Sequence, residues 1–559
     1  MWCKQCHNER CSYKERISLS QLHYSSTCRN NSGSIPACEP CTELMTLESE
    51  IRNTANYLQI LLGKHQNMKM RMNREHSRII HHLPPEIMGN IFVHCIPEDI
   101  YDDLKKADSR DIFMPFKLGS VSRVWRRIAW STPQLWTHLA LFGRPMKKLL
   151  GSNFVQEWIE RSKILPLSIY IGGMDCIGFD KSDGGPPTQY RPLLQALAGC
   201  SDRWSNINIE LRDNFLLYLS QRVTATTDLR ALRLRTNPFE DAAEVSVFFQ
   251  NMVLRPRKVS MWNIYPEEVN VEWSCVTHVE LEDLHVEGCL ELMRNAPLLE
   301  SCRFPNVRGN DHPLQQPCPP VVMERLQHLD FESSRHCHIF FASLVLPSLS
   351  SLSLCIPSLD PDVHSTLLPF LERSSFSLVK LSFPEVPAEA RHLKALLKAT
   401  PSVTHLYLGD FLCNKEGKQK VVIDPFIRFL SITYRSPNTA QAPPSSRILP
   451  HLQSLDLSLG YLFNWSDHVL GIFGPPSEFN KPFRRPLKSL TITDNPLSSV
   501  RNKSSTEKFV PRRILTRIMD LKKAGARITY NHHGGADMIN VSWQHYNMLN
   551  AEVQSSGSE

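Results

Sequence analysis

A six-residue pattern, apolar-x-x-apolar-x-apolar, recurs ten times between residues 204 and 492 of this 559-residue chain, and no other feature restricts its fold as strongly. The copies are Trp204/Ile207/Ile209, Leu229/Leu232/Leu234, Val276/Val279/Leu281, Leu299/Cys302/Phe304, Leu326/Leu329/Phe331, Leu349/Leu352/Leu354, Leu378/Leu381/Phe383, Val403/Leu406/Leu408, Leu452/Leu455/Leu457 and Leu487/Leu490/Ile492. The last two apolar positions of each copy are two residues apart, which puts both side chains on one face of a strand. Successive starts are 25, 47, 23, 27, 23, 29, 25, 49 and 35 residues apart, so most intervals fit one short repeat and two fit nearly a double one. Pro297, Pro347, Pro401 and Pro450 stand two residues before a copy, and Pro486 stands one before. Proline stops a preceding helix and biases the chain toward extension. Segments 290–295 and 391–398, upstream of two of these prolines, have helical character. The unit is therefore helix, proline turn, short strand, and stacking such units buries the strand Leu positions as one continuous core.

The remaining segments divide the chain further. Residues 1–41 form a Cys-rich, flexible arm, and 42–80 an amphipathic helix or a coiled-coil strand. In the latter, Leu44, Leu47, Ile51, Leu58, Leu61, Met68, Met72 and Ile79 keep an alternating three-four spacing, interrupted by Thr54, His65 and Glu75. A helical unit follows over 81–140 and a connector over 141–200, within which 165–171 alternates like a strand. The repeat array runs over 201–545, with a Pro/Ser-rich loop at 436–446. It closes on a helix bearing Ile514, Leu515, Ile518 and Leu521, capped by Gly525, and a last strand at 527–530. Residues 546–559 form a polar, disordered tail. Hydrophobic residues make up 42 %, enough for a packed core, and no apolar run is long enough for a membrane span, so the chain reads as intracellular and soluble.

The helical unit carries the most specific motif. His82-Leu83-Pro84-Pro85-Glu86-Ile87 leads to Ile91-Phe92. After an insertion come Leu118, Val121-Ser122-Arg123-Val124-Trp125 and Ile128, and the unit closes on Pro133-Gln134-Leu135-Trp136. Pro84 and Pro85 suit a helix start, because the first amides there need no intrahelical partner. Ile87, Ile91 and Phe92 then share one face, and Leu118, Val121, Trp125 and Ile128 repeat a helical spacing. In order and spacing this region resembles an F-box, and with the repeats behind it the chain is similar to the large F-box families of mushroom-forming fungi. The resemblance implies an α/β architecture: an N-terminal helical segment and α-helical F-box, then an irregular leucine-rich-repeat solenoid with a curved parallel sheet. It implies a substrate receptor of a Skp–cullin–F-box ubiquitin ligase, with no enzymatic chemistry of its own. The Skp-type adaptor, and through it a cullin, would dock on Leu83, Pro84, Pro85, Ile87, Ile91, Phe92, Leu118, Val121, Trp125, Ile128, Leu135 and Trp136. A target protein would bind the outward strand positions, for which His405, Tyr407, Ser454 and Asp456 are candidates, Tyr407 being the natural aromatic anchor. The charged insertion at 97–114 departs from the usual F-box spacing.

Two other readings stay open. Cys3-x-x-Cys6 and Cys38-x-x-Cys41 can offer four thiolates to one zinc ion, although Cys11 and Cys28 compete; the alternative is an arm of unpaired thiols. The net charge of +7 is concentrated in residues 481–530, where 13 Lys or Arg face 3 Asp or Glu. A solvated basic face explains this better than nucleic-acid binding, since no aromatic residues interleave. The alternatives to a ligase receptor are thus a non-ligase F-box-like scaffold and a zinc-dependent nucleic-acid binder.

Overall fold

The computed structural model describes residues 38–76, 83–96, 113–142, 153–172, 186–224, 229–237, 247–308, 320–333, 338–355, 361–374, 377–384, 390–409, 423–432, 448–459, 467–479, 481, 484–494, 509–532 and 536–556. The chain divides into two compact units, Met1–Cys95 and Ile96–Glu559. The described residues form a mixed α/β fold with fifteen α-helices, one large open sheet in which fourteen strands are parallel, and a small two-stranded parallel sheet of Val321–Val322 and Leu344–Val345.

In the first unit, helix α1 (Glu39–His76) is a single 38-residue rod. It begins before the boundary expected for the arm, so Cys41 lies in its first turn and Cys38 immediately precedes it. Helix α2 (Pro85–Val93) starts where its prolines require, with the Met88 amide donating to the Pro84 carbonyl at 3.1 Å.

The second unit opens with α3 (Met114–Val121) and α4 (Arg123–Ser131) and then enters the sheet. Its parallel strands are β1 (His138–Phe142), β2 (Leu167–Gly172), β3 (Trp204–Arg212), β4 (Ala231–Asn237), β5 (Lys258–Trp262), β6 (His278–Leu281) and β7 (Ser301–Val307). They continue as β8 (His328–Ser333), β9 (Ser351–Cys355), β10 (Lys380–Phe383), β11 (His405–Leu408), β12 (Ser454–Leu459), β13 (Ser489–Asp494) and β14 (Arg527–His532). Each pairs with the next in chain order, and β15 (Ala536–Asp537) adds antiparallel at the end. The register aligns the middle apolar residue of every repeat. One row runs from Leu139 through Ile169, Ile207, Leu232, Val259, Val279, Cys302, Leu329, Leu352, Leu381, Leu406, Leu455 and Leu490 to Ile528. All fourteen are buried. Helices cover this face: Phe340 and Phe341, on the short helix His338–Ser343, pack on Phe331 with ring centroids 4.4 and 5.3 Å away.

Four expectations from the sequence change. The segment 141–200 is not a connector, because β2 lies within it and pairs with β1 and β3, so the sheet begins at His138 rather than after residue 200. The long interval between Leu229 and Val276 holds a complete strand, β5, whose pattern Pro256/Val259/Met261 begins on a proline. The long interval between Val403 and Leu452 holds none among the described residues, since β11 pairs directly with β12. The tail is not disordered from residue 546: the last helix spans Met538–Ser556, and the Asp537 carboxylate accepts the Ile539 amide at 3.0 Å as its cap. The expected closing helix and strand are present as Arg512–Lys523 and β14, with Gly525 at φ +107° between them. The loop at 436–446 and all but the last two residues of the insertion at 97–114 lie outside the described residues.

Candidate docking surfaces

Helix α2 has two contrasting sides. Met88, Gly89 and Phe92 are buried, while Ile87 and Ile91, one turn apart, are each 46 % exposed. Pro84 and Pro85 are exposed beside them, and Leu83 is half-buried. The shared face expected for Ile87, Ile91 and Phe92 is therefore split, because residues 91 and 92 lie about 100° apart around a helix.

The continuous face expected for Leu118, Val121, Trp125 and Ile128 is also divided. Ser122 is extended, with φ −155° and ψ 168°, so it ends α3 and caps α4 by accepting the Trp125 amide at 3.1 Å. The Arg126 guanidinium donates to the Gly119 carbonyl at 2.9 Å and ties the two helices together. Gly119 also admits the Trp130 ring, into which a β-carbon would project. Leu118 and Ile128 are buried in this pair, Trp125 is half-buried, and Val121 and Val124 are exposed at 60 % and 41 %. Leu135 and Trp136 are buried too. The Trp136 indole N–H donates to the Ala129 carbonyl at 2.9 Å, and its ring lies edge-on to Phe116, Trp130 and Trp158 at 5.6, 5.3 and 4.9 Å. Arg161 caps the cluster, 4.8 Å above Trp136.

Of the twelve residues expected to meet an adaptor, Phe92, Leu118, Ile128, Leu135 and Trp136 thus fill the protein's own interior. Pro84, Pro85, Ile87, Ile91 and Val121 face outward. Val124 is exposed as well, and the sequence pattern leaves it out because it falls off the Leu118, Val121, Trp125 and Ile128 spacing.

The other surface is the face of the sheet opposite the buried row. Leu406 and Leu408 are fully buried, while His405 is exposed and Tyr407 is 38 % exposed. The register sets His405 beside Ser454 and Tyr407 beside Asp456, so the four candidate target residues form one patch on β11 and β12. The Tyr407 ring folds over Gly409, whose β-carbon would lie 3.0 Å from its hydroxyl oxygen. The Thr404 hydroxyl, 3.2 Å from the Val379 carbonyl, sits 2.8 Å from His405 Nδ1 and orients the imidazole.

Further along the same face, between β2 and β7, lies a trough of about 540 Å³ lined by Asn206, Asn208, Arg233, Ser260, Glu280 and Arg303, among others. Arg303 bridges Glu280 at 3.0 Å and Asp330 at 3.2 Å across three strands. On neighbouring strands β2, β3 and β4, outside the trough lining, Glu210 meets Arg235 at 3.5 Å and the Tyr170 hydroxyl at 3.5 Å. Burial, reinforced by the Glu210 charge, pushes the Tyr170 hydroxyl up to about 12. Burial, with Lys258 nearby, lowers the pKa of His278 at the trough's edge. The sequence held a signal for this site. Glu280, Arg303 and Asp330 occupy the same place between the last two apolar residues of their repeats as Tyr407 and Asp456 do in theirs.

No protein-family model and no curated protein matches this chain.

Of the four cysteines that could hold zinc, Cys38 and Cys41 stand at the start of α1, while Cys3 and Cys6 lie outside the described residues. Among the described residues no group of three or more His, Cys, Asp or Glu side chains is arranged to hold a metal ion. No described helix is long and apolar enough to cross a membrane.

Proposed function

We propose that the chain is a substrate receptor of a Skp–cullin–F-box ubiquitin ligase. The observation that carries this reading is the pair Ile87 and Ile91, exposed on a proline-started helix whose sequence, Leu83-Pro84-Pro85-Glu86-Ile87, resembles an F-box opening. An exposed apolar edge gains by being covered, and a helical adaptor is a suitable cover. Val121 and Val124 add exposed apolar side chains within the same resemblance. The aromatic cluster around Trp136 has a different role: it joins α3 and α4 to the start of the sheet.

In this reading the fourteen parallel strands are an irregular leucine-rich-repeat solenoid, and its open face holds the target. The Arg303 trough and the Tyr407–Asp456 patch are two places where polar and aromatic side chains stand clear of the core. The protein presents a substrate and performs no chemistry, since ubiquitin transfer belongs to other subunits. Co-expression with a Skp-type adaptor and a cullin tests this. Recovery of all three on a tag placed on this chain, lost in the Leu83→Ala/Pro84→Ala variant, is the expected result. Recovery of the adaptor without the cullin would make the chain a scaffold outside the ligase. Recovery of neither would sink the F-box assignment.

A further inference from the structure

We infer that α1 pairs with α1 of a second copy of this chain as an antiparallel two-stranded coiled coil. This inference does not rest on the ligase reading. Leu44, Leu47, Ile51, Leu58, Leu61, Met68 and Met72 are all exposed, at 38 % to 56 %, along one helix. Their alternating three-four spacing spans more than four heptads, the length over which a coiled-coil seam becomes persuasive.

Charge and polarity choose the occupant and its direction. The first half of the helix carries Glu39, Glu43, Glu48 and Glu50 against Arg52, and the second half carries Lys64, Lys69, Arg71 and Arg74 against Glu75. Each half therefore complements the other half of an identical helix running the opposite way. The seam agrees with this direction. When Leu58 faces Leu61 of the other copy, Leu47 faces Met72, Ile51 faces Met68, and the two polar interruptions, Thr54 and His65, face each other. No polar seam residue between Leu47 and Met72 then meets an apolar one, which avoids burying a polar group without a partner. In the same register Glu48 stands beside Lys69 and Glu50 beside Arg71. A parallel pair in register would instead oppose Glu43 to Glu48 and Lys64 to Lys69, like against like. Gly63 lies outside the seam, with open space around it.

The test uses the full chain. Sedimentation equilibrium should give twice the chain mass at micromolar concentration. Carbodiimide coupling followed by peptide mass spectrometry should yield a Glu48–Lys69 link. Within one helix these residues are about 30 Å apart, so a zero-length link must join two chains. Glu48→Lys/Glu50→Lys should weaken self-association by on the order of a hundredfold, because like charges then oppose one another. Lys69→Glu/Arg71→Glu should do the same, and mixing the two variants should restore the dimer. Helical circular dichroism of each variant checks that folding is retained. A single-chain mass for the unaltered protein overturns the proposal, as does a dimer indifferent to both charge reversals or one lacking the Glu48–Lys69 link.

Discussion

Gly63 and Gly119 both sit inside helices, yet the structure assigns opposite signs to the same substitution. Replacing helical Gly by Ala restricts the unfolded chain and gains about 1 kcal/mol where the new methyl group meets no obstacle. At Gly63 nothing lies within 4 Å of the added carbon, so Gly63→Ala should stabilise α1 by about that amount. At Gly119 the methyl group collides with the Trp130 ring, one of whose atoms, Cη2, would be 2.7 Å away. Trp130 has little room to retreat, since Phe116 and Trp136 stand edge-on at 5.6 and 5.3 Å and Arg161 lies 5.5 Å over its ring. Overpacking costs about 1–3 kcal/mol, and disturbing the two aromatic pairs adds about 0.5–1.5 kcal/mol each. These losses exceed the helix gain, leaving Gly119→Ala destabilised by about 1–5 kcal/mol. Amide hydrogen exchange read by mass spectrometry resolves the two sites separately. Exchange across 114–131 should quicken by about fivefold or more in Gly119→Ala, and exchange across α1 should slow by about fivefold in Gly63→Ala. Unchanged or slower exchange at 114–131 in Gly119→Ala would refute the packing argument for α3 and α4.

The remaining predictions concern affinity, stability and chemistry. Ile87 and Ile91 are about half covered already, so completing their burial contributes about 1 kcal/mol each; Ile87→Ala/Ile91→Ala should weaken calorimetrically measured adaptor binding by about thirtyfold, and an unaltered Kd would remove them from the interface. Arg485 donates to the carbonyls of Leu449, Leu430 and Ile448 at 3.0, 3.1 and 2.8 Å. Arg485→Met should therefore cost about 3 kcal/mol in denaturant unfolding, and a loss below about 1 kcal/mol would show that water replaces the guanidinium. Burial pushes the thiols of Cys200, Cys289 and Cys302 upward, so alkylation followed by mass spectrometry should spare them in the native protein and label them in denaturant. Burial lowers His138 and His278 below the ordinary value of 6.5, so below that pH the unfolded chain binds more protons than the folded one. Stability present above pH 6.5 should decline as the pH falls below that value, and His138→Gln/His278→Gln should flatten that slope in denaturation midpoints.

The repeat units are local statements. Each carries its own apolar pair two residues apart, and half of them carry their own proline. All ten copies found in the sequence therefore lie on strands of the one parallel array, with β5 interposed between the second and third, and Leu406 and Leu408 point inward with Tyr407 outward. The same pattern in Trp136/Leu139/Leu141, Ile164/Leu167/Ile169 and Pro256/Val259/Met261 places β1, β2 and β5; the first overlaps the end of the helical unit, the second shows in the sequence only as the alternation at 165–171, and the third opens on a proline instead of an apolar residue. The helices before the sheet were legible in position but not in exposure. Spacing alone put Leu118, Val121, Trp125 and Ile128 on one stripe. The extended backbone at Ser122 divided it, and the packing of Gly119 against Trp130 decided which members were covered. Leu135 and Trp136 have a motif's residue types, yet they are buried because Phe116, Trp158 and Arg161 converge on them from other elements. The trough at Arg303 needs three strands in register before Glu280 and Asp330 can flank one guanidinium. A period along the chain thus determines which side chains share a face. Whether that face meets water or another element depends on residues far away in sequence, and only the tertiary structure brings those together.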